Sequence, residues 1–165
     1  MIIRQAQMAD LDAIYAIELE NFSPEEAISR EILAKHIETI SSTFLVAEKN
    51  GKILGYLEGP VRPERHLYDV SFTLEIEDYH STDGGFISLT SLSISKEAQG
   101  LGVGKALLEA MKEIAIADER HGINLTCHDY LIAYYEQHGF VNEGRSASTY
   151  ANEVWFDMVW ENSQI

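Results

Sequence analysis

Six residues, Gln99-Gly100-Leu101-Gly102-Val103-Gly104, stand between a run that alternates like a strand and a run that repeats like a helix. Glycines at such a junction let the backbone turn where a side chain would clash. They also leave several N–H groups bare at a helix start. Bare amides at the positive end of a helix dipole suit an anion such as a phosphate. The run is not a P-loop, because no Gly-Lys-Ser/Thr follows at the required spacing. Nor is it a dinucleotide fingerprint: the glycine spacing differs, and the strand before it lies mid-chain rather than in an opening βαβ unit. On pattern alone, a phosphate-binding turn and a glycine turn without a ligand both remain open.

The segments on either side sharpen the picture. After the turn, Val103, Ala106, Leu107, Ala110, Met111, Ile114 and Ala115 form one apolar stripe, the mark of a helix lying on a core. Before it, residues 86–95 read as a strand with a flaw. Ile87 and Leu89 alternate, then Leu92 and Ile94 do, and the phase slips by one between the pairs. A β-bulge would restore the inward direction of both pairs, and bulges often sit beside active sites.

The rest of the chain supplies a mixed α/β set. Residues 1–6 read as a strand, and Asp10 caps a helix carrying Leu11, Ile14, Tyr15 and Ile17. Ser23-Pro24-Glu25-Glu26 has the signals of a second helix start, running to about Thr39. Asn50-Gly51 predicts a hairpin between strands at 43–48 and 52–58. Residues 60–85 read as an insertion or long loop with a strand at 70–76, and loops of that length are usually functional. A strand at 123–127, a short helix at 130–138 closed by Gly139, and a last strand at 154–160 complete the order. With no repeat, linker or low-complexity run, residues 1–165 read as one domain.

The chain has 12 Lys and Arg against 27 Asp and Glu, a formal charge of −15. Such a chain repels nucleic acid, whose binding rests on neutralised phosphates, and attracts cations. The apolar runs are far too short to span a bilayer, and the N-terminus, broken by Arg4, Asp10 and Asp12, does not read as a signal peptide. A cytoplasmic protein is expected. One cysteine, Cys127, excludes an internal disulfide and a cysteine zinc site, and no metal is expected.

Gln99-x-x-Gly102-x-Gly104 resembles the (Arg/Gln)-x-x-Gly-x-(Gly/Ala) pyrophosphate loop of the GNAT superfamily of N-acetyltransferases. Cys127-His128-Asp129-Tyr130-Leu131-Ile132-Ala133-Tyr134-Tyr135-Glu136-Gln137-His138-Gly139-Phe140 resembles a segment of its serotonin (arylalkylamine) N-acetyltransferase branch. The superfamily resemblance covers nearly the whole chain, and that to the branch covers roughly 86–144. It implies a single-domain fold: a mixed, mostly antiparallel sheet with a bulged central strand, flanked by helices. It implies acetyl-CoA as cosubstrate. The backbone of Leu92, Ser93 and Ile94 would pair with the pantetheine arm. Gln99, Gly100, Leu101, Gly102, Val103 and Gly104 would hold the pyrophosphate, and Lys105 would begin the helix either as a phosphate contact or as a plain surface lysine.

Transfer to an amine sets three tasks. An ammonium with a pKa near about 10 must lose a proton, an oxyanion needs donors, and the leaving thiolate needs a proton. By resemblance Tyr135 is the acid. Tyr134 projects about 100° away from it on the same helix. The base is where this sequence departs from the branch: its two strand histidines fall on Ser88 and Thr90, and neither can serve. Water, Glu25, Glu26, His80 and His128 remain as candidates. Cys127 reads as a buried thiol rather than a nucleophile.

By resemblance, Phe22, Glu25 and Glu26 lie where the acceptor binds. Seven acids at 10–31 (Asp10, Asp12, Glu18, Glu20, Glu25, Glu26, Glu31), with Glu75, Glu77, Asp78 and Asp83, would favour a cationic amine; Tyr68, Phe72 and Tyr79, with Phe22, would pack its body. The expected partner is an arylalkylamine or polyamine. The alternatives are the N-terminus or a lysine of a protein, or a non-catalytic acyl-CoA-binding domain. A homodimer is left open.

Overall fold

The computed structural model describes residues 1–76, 78 and 82–165, so Glu77, Tyr79 and His80 lie outside the described residues. In chain order, β1 (Ile2–Gln5) leads into α1 (Leu11–Asn21) and α2 (Arg30–Thr39), then β2 (Phe44–Lys49) and β3 (Lys52–Glu58). A short β4 (Val61–Arg62) and a long connection precede β5 (Phe86–Ser88), β6 (Ser91–Ile94) and α3 (Val103–Ala117). β7 (Gly122–Cys127), α4 (Ile132–Gln137), β8 (Val141–Arg145) and β9 (Phe156–Glu161) close the fold.

Two sheets result, ordered β1-β2-β3-β6 and β4-β5-β7-β9-β8. β5–β7 is the parallel pair, and the others described are antiparallel. The first sheet is covered on both faces, which explains the unbroken apolar run of β2. Phe44 and Val46 pack with Ile14, Leu33 and Ile37 of the first two helices. Leu45 and Ala47 pack with Leu107, Leu108 and Met111 of α3. The expected stripe of α3 is right in direction and off at its edge: Leu108 is fully buried, while Ala110 and Ile114 are half-buried.

The slip in the central strand is real. Residues 86–88 pair in one sheet and 91–94 in the other, so a single stretch of chain joins the two. Ser91 stands opposite Glu58, and Thr90 N–H also donates to Glu58 O at 2.8 Å, so two residues face one. Past that bulge β6 keeps β3 on one side and leaves β7, and its other edge opens into a cleft.

Two local expectations fail, each for a physical reason. Ser23-Pro24-Glu25-Glu26 starts a single turn, with Glu26 and Ala27 N–H donating to Ser23 O at 3.0 and 2.8 Å. It cannot extend, because Ile28 N–H is taken by Glu18 Oε2 at 2.9 Å. Helix α2 begins at Arg30, capped by Ser29, whose hydroxyl accepts from Ile32 N–H. Residues 70–76 form no strand: 69–72 make a 3-10 turn, and Phe72 stacks on Tyr150 with centroids 4.6 Å apart.

Candidate active site

The open edge of β6 forms one wall of a cavity of about 680 Å³ that ends at the glycine turn. From the register at Glu58 the hydrogen-bonding direction alternates. Ser93 therefore spends its backbone groups on Tyr56 of β3, whereas Leu92 and Ile94 turn theirs to the open edge. Of the three residues expected to offer backbone there, Ser93 does not. Ile94 O is also engaged: it accepts from Asn21 Nδ2 at 2.7 Å, which further donates to Ser93 Oγ at 2.8 Å. Gln99 Nε2 donates to Asn21 Oδ1 at 3.3 Å. Asn21, at the end of α1, thus ties the strand to the loop.

Gly100 and Gly102 both have φ of 80°, the left-handed conformation that glycine adopts freely. Gly102 is the residue before α3, and the first amide to bond back is Ala106 N–H, to Gly102 O at 3.1 Å. The amides from Val103 to Lys105 therefore precede the first intrahelical bond and point out of the helix start. Gly104 has a different reason to lack a side chain, since a Cβ there would strike the Tyr134 hydroxyl. The exposed Leu101, and Lys105 on the cavity wall, complete the turn. A glycine cradle, a helix start and an unpaired strand edge in one groove fit the phosphates and the amide-bearing arm of an acyl-CoA.

A second, smaller cavity of about 100 Å³ lies on the other side of the bulge. Phe22, Leu92, Tyr130, Leu131 and Tyr135 line both cavities. Tyr135 is 8% exposed and packs edge-on to Phe140 and Tyr134. Burial, with Cys127 and Tyr134 close by, pushes its phenol well above the usual range, so it stays protonated. Tyr134 reaches only the larger cavity, beside His138. Cys127 is buried, and burial and Asp129 push its thiol up to about 12, which fits an inert thiol.

Of the acids expected to wall the acceptor region, Glu18 and Glu26 line the smaller cavity. Glu25 is exposed and lines neither cavity. Asp10 and Asp12 pair with Arg4 and Arg30, Glu20 accepts from Lys96 N–H, and Asp78 accepts from Val61 N–H. Phe22 and Phe72 line the cavity, and Tyr68 does not. Residues that local pattern did not single out complete the wall: Tyr150 and Trp155, from the loop between β8 and β9. Tyr150 Oη donates to Glu26 O at 3.1 Å, and Trp155 Nε1 donates to Tyr150 O at 2.8 Å.

Beneath the cavity runs a buried polar cluster. Glu18, 1% exposed, accepts from Ile28 N–H, from Ser91 Oγ at 3.1 Å and from the Tyr56 hydroxyl. Burial drives its pKa up against the pull of those donors. Glu58 and His36 are fully buried, with Glu58 Oε2 2.9 Å from His36 Nδ1. Thr90, one of the two positions expected to carry a histidine, donates to Glu58. His36 Nε2 lies 3.2 Å from Thr73 O and must be the donor there. Burial alone would lower the His36 pKa, but the charge and hydrogen bond of Glu58 outweigh it and raise it. Ser88, the other such position, is fully buried. Among the described residues no cluster of metal-ligating side chains occurs, and no helix is long and apolar enough to cross a membrane.

This architecture recurs in known proteins. Residues 11–140 match the acetyltransferase (GNAT) family. An uncharacterized N-acetyltransferase of Methanocaldococcus jannaschii, MJ1530, is 31% identical over 112 residues, which is 68% of this chain but only 57% of that relative's length. Ard1 from Thermoplasma volcanium superposes with a TM-score of 0.74 at 16% identity, covering 97% of this chain and 96% of that one. The GNAT-like decarboxylase GphF, solved with isobutyryl-CoA, gives 0.78 at 16% identity, covering 98% and 99%. The cleft, the bulge and the matched residues agree, and the chain belongs to the acetyltransferase (GNAT) family.

Proposed function

We propose that this chain transfers the acetyl group of acetyl-CoA to the primary amine of a small cationic acceptor, by direct attack within a ternary complex. One observation carries the reading: the groove along β6 and the aromatic cavity meet at Tyr135, so a thioester in one would face an amine in the other. Acetyl-CoA supplies the activated acyl group. Leu92 and the amides at the start of α3 would orient it, and Tyr135, held protonated by burial, would donate to the departing sulfur.

The walls support a small amine over a peptide. Tyr150 is hydrogen-bonded to the turn after α1 and stacked on Phe72, and Ser148 Oγ donates to Asp69 at 2.5 Å. A groove for an extended peptide would need those two sides apart. Rings from Phe22, Phe72, Tyr150 and Trp155, with Glu18 and Glu26, favour a cation carrying an apolar or aromatic body, such as an arylalkylamine; a polyamine fits the acids alone. A thiol-release assay with arylalkylamines, polyamines and peptides tests this. Turnover of small amines is expected. Turnover of peptides alone would make the chain a protein acetyltransferase, and acetyl-CoA binding without turnover would make it a binding domain.

A further inference from the structure

Deprotonation of the acceptor needs a group that is basic near neutrality, faces the cavity and has a nitrogen or oxygen to spare. The buried cluster does not offer one. Both oxygens of Glu18 are engaged by Ile28, Ser91 and Tyr56, and Glu58 and His36 are fully enclosed.

His128 differs. It follows β7 directly and lines the acceptor cavity together with Tyr135. Its Nε2 lies 3.1 Å from Glu26 Oε1, a residue 102 positions away, and both side chains are largely buried. The imidazole is stacked on Trp155 with centroids 4.3 Å apart and on Tyr130 at 5.2 Å. The ring therefore has a fixed plane, and the carboxylate fixes the proton on Nε2. Nδ1 makes no hydrogen bond among the described residues, so its lone pair is left for another proton. A base oriented by a carboxylate, with its second nitrogen free, is the arrangement used wherever an imidazole must take a proton repeatedly.

Resting on the acetyltransferase reading, we propose that His128, oriented by Glu26, is the general base that takes the proton from the acceptor ammonium. The ammonium gives one proton to Nδ1. The freed nitrogen bonds to the thioester carbon as the carbon–sulfur bond breaks. Tyr135 protonates the sulfur and regains the proton that the nitrogen still sheds. The products are an amide, a thiol and one proton, and that proton leaves on the imidazolium. The titratable groups that share the cavity with His128 are the acids Glu26 and Glu18, the Cys127 thiol, and the phenols Tyr130, Tyr135 and Tyr150, and Asp129 follows it in the chain. Among the described residues no lysine or arginine lines the cavity to oppose the imidazolium.

The test uses the best amine of the panel and the pH profile of kcat/KM. The native enzyme should show a rising limb that reports the loss of a single proton. His128→Gln should lose the limb and roughly a hundredfold or more in rate, within the usual span of general base catalysis. Glu26→Gln should move the limb to lower pH, because the imidazolium loses its anion, and acetyl-CoA affinity should hold in both. If amines turn over but His128→Gln keeps the native rate and limb, the proposal is overturned while the acetyltransferase reading stands. If no small amine turns over, the small-amine reading falls and this proposal falls with it. Nitrogen-15 NMR gives a check independent of turnover: a neutral ring with its proton on Nδ1 would overturn the assignment.

Discussion

On one side of Tyr135 the cleft is made of backbone, and on the other it is made of side chains. The groove along β6 relies on Leu92 and Ile94 at an unpaired strand edge, on glycines at φ 80°, and on amides that precede the first turn of α3. Those backbone groups all lie between Leu92 and Lys105. The aromatic cavity draws Glu18 from α1, Phe22 from just past its end, Glu26 from the following turn, Phe72 from the long connection, His128 from the end of β7, and Tyr150 and Trp155 from the last loop. A backbone site tolerates many side chains and recognises what all acyl-CoAs share. A site assembled from side chains can vary piece by piece, and there a family can change acceptor without changing fold.

If that contrast holds, the largest loss should come from the side-chain half. Glu58→Ala strands His36 in the interior without its anion. Breaking a buried pair in this way costs about 3–5 kcal/mol, to be read from urea unfolding at neutral pH. Glu58→Gln should lose less. Sign follows from protonation: His36 is raised in the fold, so its share of stability is full below about pH 6.5 and is lost as pH rises through its higher folded value. Glu18, also raised, contributes in the same direction, beginning above its ordinary value of 4.5. Asp10 and Glu143 run the other way. Arginine partners hold both low, Glu143 at about 2, so their share is lost in acid. A Glu58→Ala protein as stable as the native one, or unchanged alkaline sensitivity, would show the cluster to be inessential to the fold.

The same contrast explains what could be read in advance. The glycine turn, the bulge, the α3 stripe and the Asn50-Gly51 hairpin are local, set by residues a few positions apart, and each appears in the structure at its expected place, the stripe shifted at its edge toward Leu108. Tyr135 comes from the resemblance over residues 127–140, and it lies where the two cavities meet. The sequence pattern sets the second helix six residues early, capped by Ser23 rather than Ser29, because its first-turn signals are indistinguishable from those of one isolated turn until Glu18, ten residues before Ile28, is known to take Ile28 N–H. The Glu26–His128 pair spans 102 positions, and no spacing announces it. Of the acids counted as a wall, Asp10, Asp12, Glu20 and Asp78 are instead partners of Arg4, Arg30 and backbone amides, since composition carries no direction.

At the junction itself, Tyr135→Phe should lower kcat roughly tenfold or more with little change in KM for acetyl-CoA, because the ring packing survives. No fall in rate near pH 10 should trace to this phenol, since burial moves its ionisation well beyond that range. A native kcat in the variant, with chemistry rate-limiting, would leave Tyr135 as packing alone. In the backbone half, Gly102→Val should raise the acetyl-CoA dissociation constant by about tenfold, through strain at positive φ and loss of close approach. Calorimetry on the folded variant decides it, and unchanged affinity would remove the glycine turn from the site.

The smallest effect should come from the one lysine at that turn. Lys105 is exposed at the start of α3 and lines the groove, so its ammonium could add charge to whatever the amides hold. An exposed pair is worth little in water, and much of that is screened at physiological salt. If the pyrophosphate is held chiefly by backbone amides, Lys105→Ala should weaken acetyl-CoA binding by no more than about fivefold at low salt. Raising the salt should shrink that difference, because screening weakens an exposed side-chain charge more than hydrogen bonds from fixed amides. Amides fixed by a helix start keep their direction regardless of ionic strength, so the remaining affinity should change far less. A loss for Lys105→Ala that matches or exceeds that of Gly102→Val would invert the comparison, making the groove, like the cavity across from it, a site held by side chains.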